Sequence, residues 1–128
     1  MERQTLHRTI GRPLDTPASR FELPRALADL RAEAALEREG RNSIILHKED
    51  GLKVVLIAMR AGNEIRSHRA AAPITLQALE GRVAVDAGGK TYELRSGQLL
   101  TLHAGLEHAV RALEESAFLL TLAGPNGH

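Results

Sequence analysis

The sequence contains no cysteine and no tryptophan, and aromatic residues of any kind are few. Without cysteine, the protein has no disulfides, no thiolate catalysis and no zinc or iron–sulfur site built on thiolate ligands. The three aromatic residues, Phe21, Tyr92 and Phe118, are too few for a base-stacking platform or a sugar site made of stacked rings. Any chemistry therefore runs mainly through imidazole, amide and guanidinium groups.

An excess of one charge and long apolar runs are also missing. The 17 Lys and Arg residues nearly balance the 16 Asp and Glu residues, which leaves a formal net charge of +1. Such a balance does not supply the basic surface that nucleic acid or an anionic membrane would require. No segment approaches the roughly 20 apolar residues of a membrane span, and the first residues lack a signal-peptide pattern. We therefore expect a cytoplasmic protein with no nucleic-acid and no membrane partner.

A chain of 128 residues is long enough for one domain, and its pattern changes near residue 42. Residues 1–22 show neither a helical nor a strand period. From Pro24 a run of good helix formers follows, with an apolar stripe that includes Leu27 and Leu30, and Gly40 stands at its C-terminal end. The pattern predicts an N-terminal extension over residues 1–42 that contains one amphipathic helix at about residues 24–39.

From Ser43 onward the apolar period is two, and short β-type segments alternate with turn residues. The Gly88-Gly89 pair between two such segments predicts a tight hairpin. Val54 to Met59 is apolar on both faces, so we expect this strand to be covered twice, by the helix or by a second subunit. A series of short strands without intervening helices predicts an all-β sandwich or barrel over residues 43–123, followed by a tail at 124–128. The segments are Ser43–Lys48, Leu52–Arg60, Ile74–Glu80, Arg82–Ala87, Lys90–Arg95, Gln98–His103, His108–Leu113 and Ala117–Ala123.

Glycines and histidines in this region follow a recognisable spacing. Gly62, His68 and Gly81 fit the first cupin motif, G-x5-H-x-H-x3-E-x6-G. After 15 further residues, Gly97 and His108 fit the second motif, G-x5-P-x-G-x2-H-x3-N, with Gly105 at its central glycine. The sequence thus resembles the cupin superfamily over about residues 44–123. The resemblance implies a small jelly-roll β-barrel, often a homodimer, that holds a small molecule or a metal ion inside.

The resemblance also implies where a metal would lie, and several of those positions have changed. Cupin metal sites usually take two His and one Glu from the first motif and one His from the second. His68 and His108 match the first and last of these ligands, whereas Ala70 and Ile74 replace the second His and the Glu. In the second motif, His103 replaces the proline and Ala112 replaces the asparagine. A catalytic metal normally needs three protein ligands, so we expect a weak or absent site for a divalent transition metal.

Five residues are candidates for the site. His68 and His108 are the candidate metal ligands and also the candidate catalytic bases, because imidazole both ligates metals and titrates near neutrality. Arg66 shares strand parity with His68 and is a candidate for binding a carboxylate or phosphate. Gln77 and His103 are further candidate ligand-binding residues, although regular alternation turns Gln77 outward if Ile74 faces inward.

The residues leave three classes of function open. The first is a binding protein for a small molecule inside the barrel, with little or no metal. The second is an enzyme, either a metal-dependent oxygenase or a histidine-based isomerase or epimerase. The third is a structural or regulatory oligomerisation module with a filled barrel. The fold does not decide between them, because cupins support many unrelated functions.

Overall fold

The computed structural model describes residues 7–9 and 17–124. Two β-sheets pack face to face, one with six strands in the order β1-β2-β3-β10-β5-β8 and one with four in the order β4-β9-β6-β7. Apart from the parallel pair β1 and β2, the paired strands are antiparallel. The strands are β1 His7–Thr9, β2 Arg41–Glu49, β3 Gly51–Met59, β4 Glu64–His68, β5 Ile74–Glu80, β6 Arg82–Ala87, β7 Lys90–Arg95, β8 Leu99–Leu102, β9 His108–Ala112 and β10 Ser116–Gly124.

The space between the sheets is filled with aliphatic side chains. On β3, the alternate residues Val55, Ile57 and Met59 face this core, and Phe118 of the neighbouring β10 is its one fully buried ring. The opposite sheet contributes alternate residues of β6 and β9 to the same cluster. Strand alternation therefore places one face of each sheet in a common core, as the period of two requires. This arrangement confirms the prediction of an all-β jelly-roll domain.

The N-terminal helical segment differs from the prediction. Two helices, α1 Leu23–Ala32 and α2 Ala34–Glu39, replace the single helix expected over residues 24–39. The break lies at Glu33, whose backbone is extended with φ −87° and ψ 147°. The buried Asn42 amide donates hydrogen bonds to the Leu30 carbonyl and to the Glu33 carboxylate, so it ties the interrupted segment to β2. This contact is tertiary and leaves no mark in the helical pattern.

Strand β3 is covered on both faces, as its composition predicts. Leu56 and Ala58 face away from the barrel and pack with Leu27, Leu30 and Leu36 of the two helices. This outer cluster also includes residues of β2 and β10, so the helices lie across the middle of the six-stranded sheet. The helical segment of the same chain is therefore one cover for the doubly apolar strand.

Two strands have no counterpart among the predicted segments. Strand β1 lies in the region read as irregular, and β4 is short and largely exposed, with only Ile65 partly buried. Neither carries the alternation on which the prediction relied. The Gly88-Gly89 hairpin joins β6 and β7 as predicted, with both glycines at positive φ. In the described ranges, no helix is long and apolar enough to cross a membrane.

Candidate functional site

The two histidines that match the cupin motifs meet at one end of the barrel. His68 ends β4 and His108 begins β9, and the two residues lie directly opposite each other in the antiparallel pair. Their ring centroids are 4.5 Å apart and the ring planes are tilted by 58°. The hairpin at Gly88-Gly89 and the loops 69–73 and 103–107 lie at this end, which we call the histidine end. The structure thus brings the two candidate side chains together, and their roles as metal ligands or bases stay predictions.

A β-bulge sets the direction of the His68 side chain. Ile65 pairs with Val110 and His68 pairs with His108, so three steps on β4 match two steps on β9. Ile65 packs against the barrel core, and the extra residue allows His68 to share that face. The bulge therefore breaks the regular alternation between Arg66 and His68. That alternation was the reason for expecting the Arg66 side chain in the interior. The Arg66 side chain is exposed, and its carbonyl oxygen is the part that contacts His68.

Matched hydrogen bonds orient the two imidazoles. The Nδ1 of His68 lies 3.0 Å from the carbonyl oxygen of Arg66, and the Nδ1 of His108 lies 3.1 Å from that of Leu106. A carbonyl oxygen only accepts, so in both neutral rings Nδ1 carries the proton. The Nε2 atom of each ring is then unprotonated and has a lone pair to offer. The two adjacent rings therefore offer two Nε2 atoms, which can accept hydrogen bonds or coordinate a metal ion.

The two rings differ in their environment. His68 is exposed, whereas His108 is only 4% exposed. Burial lowers the pKa of His108 below its ordinary value, and the nearby His68 lowers it further, while the hydrogen bond to Leu106 acts in the opposite direction. His108 is therefore a neutral acceptor at pH 7. The pair forms a polar strip that leads from the surface to the barrel interior.

The surrounding residues do not fit a multi-ligand metal centre. Ala70 and Ile74, which stand at the other two motif positions, are 7% and 3% exposed and belong to the barrel core. Within the described part of the chain, no group of three His, Asp or Glu side chains could hold a metal ion. Glu107, the acidic neighbour of His108, instead accepts a 2.6 Å hydrogen bond from Ser67. The donor set thus amounts to two imidazoles.

The other predicted site residues lie apart from the histidine pair. Gln77 is exposed on the outer face of β5, between inward-facing Leu76 and Ala78, as the alternation argument required. His103 is exposed in the loop that follows β8. The structure does not bring these two side chains, or that of Arg66, into contact with His68 or His108. Their role in ligand binding stays a prediction.

One polar residue at the histidine end was missed by the sequence reasoning. Lys53 is 4% exposed and shares the inward face of β3 with Val55 and Ile57. Its cross-strand neighbours are Leu122 of β10, which belongs to the barrel core, and Lys48 of β2. Burial lowers the pKa of Lys53, and the charge of Lys48 lowers it further. Its strand parity with Val55 is the signal that would have indicated an inward lysine.

A separate groove of about 620 Å³ lies on the outer side of the four-stranded sheet, near the β6–β7 hairpin. Polar and apolar residues line it in similar measure, and several of the polar side chains are paired. Asp86 accepts hydrogen bonds from Thr91 and Arg111, and Arg69 contacts Glu107. The inward-facing histidines are not among the residues that line this groove. It is therefore a surface feature separate from the histidine pair.

Comparison with known proteins identifies the fold. No protein-family model and no curated protein sequence matches the chain. Among solved structures, a conserved protein of unknown function from Streptococcus pyogenes is 26% identical, with a TM-score of 0.64 over 66% of this chain and 75% of that one. A cupin superfamily protein from Desulfitobacterium hafniense matches with a TM-score of 0.64 at 15% identity, over 66% of this chain and 77% of that one.

One larger protein contains the same unit, and a further match is to a smaller one. The salicylate 1,2-dioxygenase of Pseudoaminobacter salicylatoxidans matches 79% of this chain with a TM-score of 0.70 and 18% identity, but only 32% of its own length is covered. KdgF from Halomonas sp. matches 65% of this chain and 77% of its own, with a TM-score of 0.60 and 19% identity. These likenesses, the two packed sheets and the opposed motif histidines lead to one conclusion. The chain has the cupin fold.

Proposed function

We propose that this protein binds a small polar molecule at the histidine end of the barrel, and that any divalent metal there is held weakly. The observation that carries the proposal is the matched orientation of His68 and His108. Each ring donates Nδ1–H to a backbone carbonyl, which leaves two Nε2 acceptors on rings 4.5 Å apart. Two fixed acceptors suit the hydroxyl or amine donors of a small ligand.

The accessibility of the pair supports a binding role. An exposed His68 and a buried His108 allow a ligand to enter from solvent and still lose part of its hydration. Fixed tautomers also reduce the cost of binding, because the acceptors need no reorganisation when a donor arrives.

The enzyme alternatives find less support in the same residues. A general base is usually oriented by a carboxylate, but both Nδ1 atoms face carbonyl oxygens and the Glu107 carboxylate is bonded to Ser67. A tightly bound metal needs more ligands than two imidazoles, and Ala70 and Ile74 supply none. The proposal therefore favours recognition through hydrogen bonds over coordination.

Nitrogen-15 NMR of the imidazoles tests the proposal directly. In the free protein, both rings are expected to show a protonated Nδ1 and an unprotonated Nε2. Titration with butane-1,2,4-triol, a small neutral donor, is expected to shift the Nε2 resonances of His68 and His108. His68→Ala and His108→Ala are expected to abolish binding, whereas His47→Ala, which removes an exposed histidine paired with Glu49, serves as the matched control.

Two results would contradict the proposal. Binding that is unaffected by either histidine substitution would place the ligand elsewhere. A stoichiometric transition metal that survives chelator treatment, in protein purified without a metal-affinity tag, would favour a metal-dependent oxygenase or isomerase instead. Under the proposal, Ni²⁺ added to the protein is expected to be removed by an equimolar chelator, because two imidazoles do not retain it.

A further inference from the structure

The histidine end holds a buried cation in addition to the two imidazoles. Lys53 is 4% exposed, on the same face of β3 as three residues of the barrel core, and it pairs across the sheet with the core residue Leu122. None of the ion pairs formed within residues 17–124 includes it. The ammonium of such a largely buried side chain loses part of its hydration and, without an ion pair, gains no counter-charge in return.

Topology places Lys53 and the histidine pair at the same end of the barrel. Lys53 is the third residue of β3, next to the β2–β3 hairpin, and its partner Leu122 pairs in turn with Ile74, the first residue of β5. β5 begins one short loop after His68 ends β4. Lys53 belongs to the six-stranded sheet and the histidines belong to the four-stranded sheet. Lys53 and the two histidines therefore lie at the same end of the barrel, on opposite sheets, which form the two walls of the interior.

The charges around this end favour an anion. Lys48 lies opposite Lys53 on β2, so the nearest cross-strand charge is a second cation. His108 is a neutral acceptor, and Glu107 faces the outer surface, where Ser67 and Arg69 bind its carboxylate. Glu49 and Asp50 of the adjacent hairpin are exposed, and neither forms an ion pair with Lys53 within residues 17–124.

We propose that Lys53 is a further ligand-binding residue of this site, and that the ligand is a small hydroxy acid. Its carboxylate contacts the Lys53 ammonium, and its hydroxyl donates to the Nε2 atom of His68 or His108. This inference rests on the proposed binding function and specifies its ligand class. A hydroxy acid suits the groups on both walls, since it combines an anion for the lysine with a hydrogen-bond donor for the imidazoles.

A matched set of four probes separates the contributions. Malate carries both groups, succinate lacks the hydroxyl, butane-1,2,4-triol lacks the carboxylates, and inorganic phosphate is an anion without the carbon chain. Isothermal titration calorimetry on the full chain is expected to rank malate at least tenfold above each of the other three, or about 1.4 kcal/mol. This ranking needs no variant, so it tests the ligand class even if a substitution disturbs folding.

Substitution of the lysine tests its contribution. Lys53→Met keeps the length of the side chain but removes the charge, and it is expected to weaken malate binding at least tenfold while leaving the triol within twofold. Arg95→Met makes the same change in net charge at an exposed position at the other end of the four-stranded sheet, and it is expected to leave malate binding within twofold. Because the change removes an unpaired buried cation, Lys53→Met is also expected to raise the urea midpoint of the free protein.

The outcomes distinguish this inference from the proposed function. If the triol binds through the histidines and malate binds no better, the histidine site stands and the hydroxy-acid assignment is wrong. Equal binding of malate and phosphate, or equal loss in Lys53→Met and Arg95→Met, would also overturn the assignment, since it would indicate general charge attraction. If no probe shifts the imidazole resonances, the proposed function itself fails.

Discussion

Acid should destabilise this protein through His108, and the size of the effect can be bounded. The ring is buried beside His68, and burial is the main reason that its pKa lies below the ordinary value of 6.5. The unfolded chain therefore binds a proton at a higher pH than the folded chain does. As pH falls below about 6.5, protonation favours the unfolded state, and the free energy of unfolding decreases until the folded-state pKa is reached.

The bound follows from the titration of one group. The slope for a single histidine is at most about 1.4 kcal/mol per pH unit, so the loss between pH 7 and pH 5 is at most about 2 kcal/mol. The repulsion from His68 is one of the causes of the lowered pKa of His108, so this bound already includes it.

Urea denaturation at several pH values between 5 and 8 measures this effect. His108→Asn retains a donor toward the Leu106 carbonyl but does not titrate, so its free energy of unfolding is expected to change less over this range than that of the wild type. His47→Asn, at an exposed position, is expected to keep the wild-type slope. If the wild type and His108→Asn show the same pH dependence, the buried neutral imidazole is not the source, and the reasoning is refuted.

Two further predictions concern stability away from the site. Asn42→Ala removes the buried amide that bonds the end of α1 and the Glu33 carboxylate, and should lower the free energy of unfolding by about 1–3 kcal/mol. An unchanged urea midpoint would show that these bonds do not stabilise helix docking. Gly81→Ala places a methyl group at φ +76° against the Ser116 hydroxyl, and it should lower the free energy of unfolding by about 2 kcal/mol or more. Gly89→Ala lies at φ +80° in open space, so it should lower the free energy of unfolding only by the backbone strain of about 1–2 kcal/mol. Equal urea midpoints for the two glycine variants would contradict the steric part of this reasoning.

Local patterns in the sequence account for the strands that were predicted correctly. The apolar alternation on β5 and the glycine pair before β7 are local features, and each fixes a face or a turn without reference to the rest of the chain. The convergence of His68 and His108 was also predictable, because the cupin spacing carries the topology that pairs β4 with β9. Sequence and fold agree wherever the determining contact lies within a few residues.

The features that escaped prediction depend on contacts between distant segments. The bulge that turns His68 inward, and leaves the Arg66 side chain outside, exists only in the register between β4 and β9. The helix break at Glu33 accompanies a hydrogen bond from Asn42, nine residues later. Lys53 sits at an inward position near the beginning of β3, and its burial depends on the neighbouring strands β2 and β10. Parity alone does not show that the first residues of a strand are buried.

Lys53 and His108 share one physical situation. Both are buried at the histidine end, and for both of them burial is the largest cause of a lowered pKa. Each cationic form therefore lacks a counter-charge in the free protein. A carboxylate bound beside Lys53 would favour its protonated form and raise its pKa, whereas a hydroxyl that donates to Nε2 keeps His108 neutral. Malate binding, if it follows the proposed geometry, should therefore be accompanied by proton uptake in the pH range where Lys53 titrates, measurable as a calorimetric enthalpy that depends on the ionisation heat of the buffer. A neutral triol in the same site should show no such dependence, because it brings no charge to either wall.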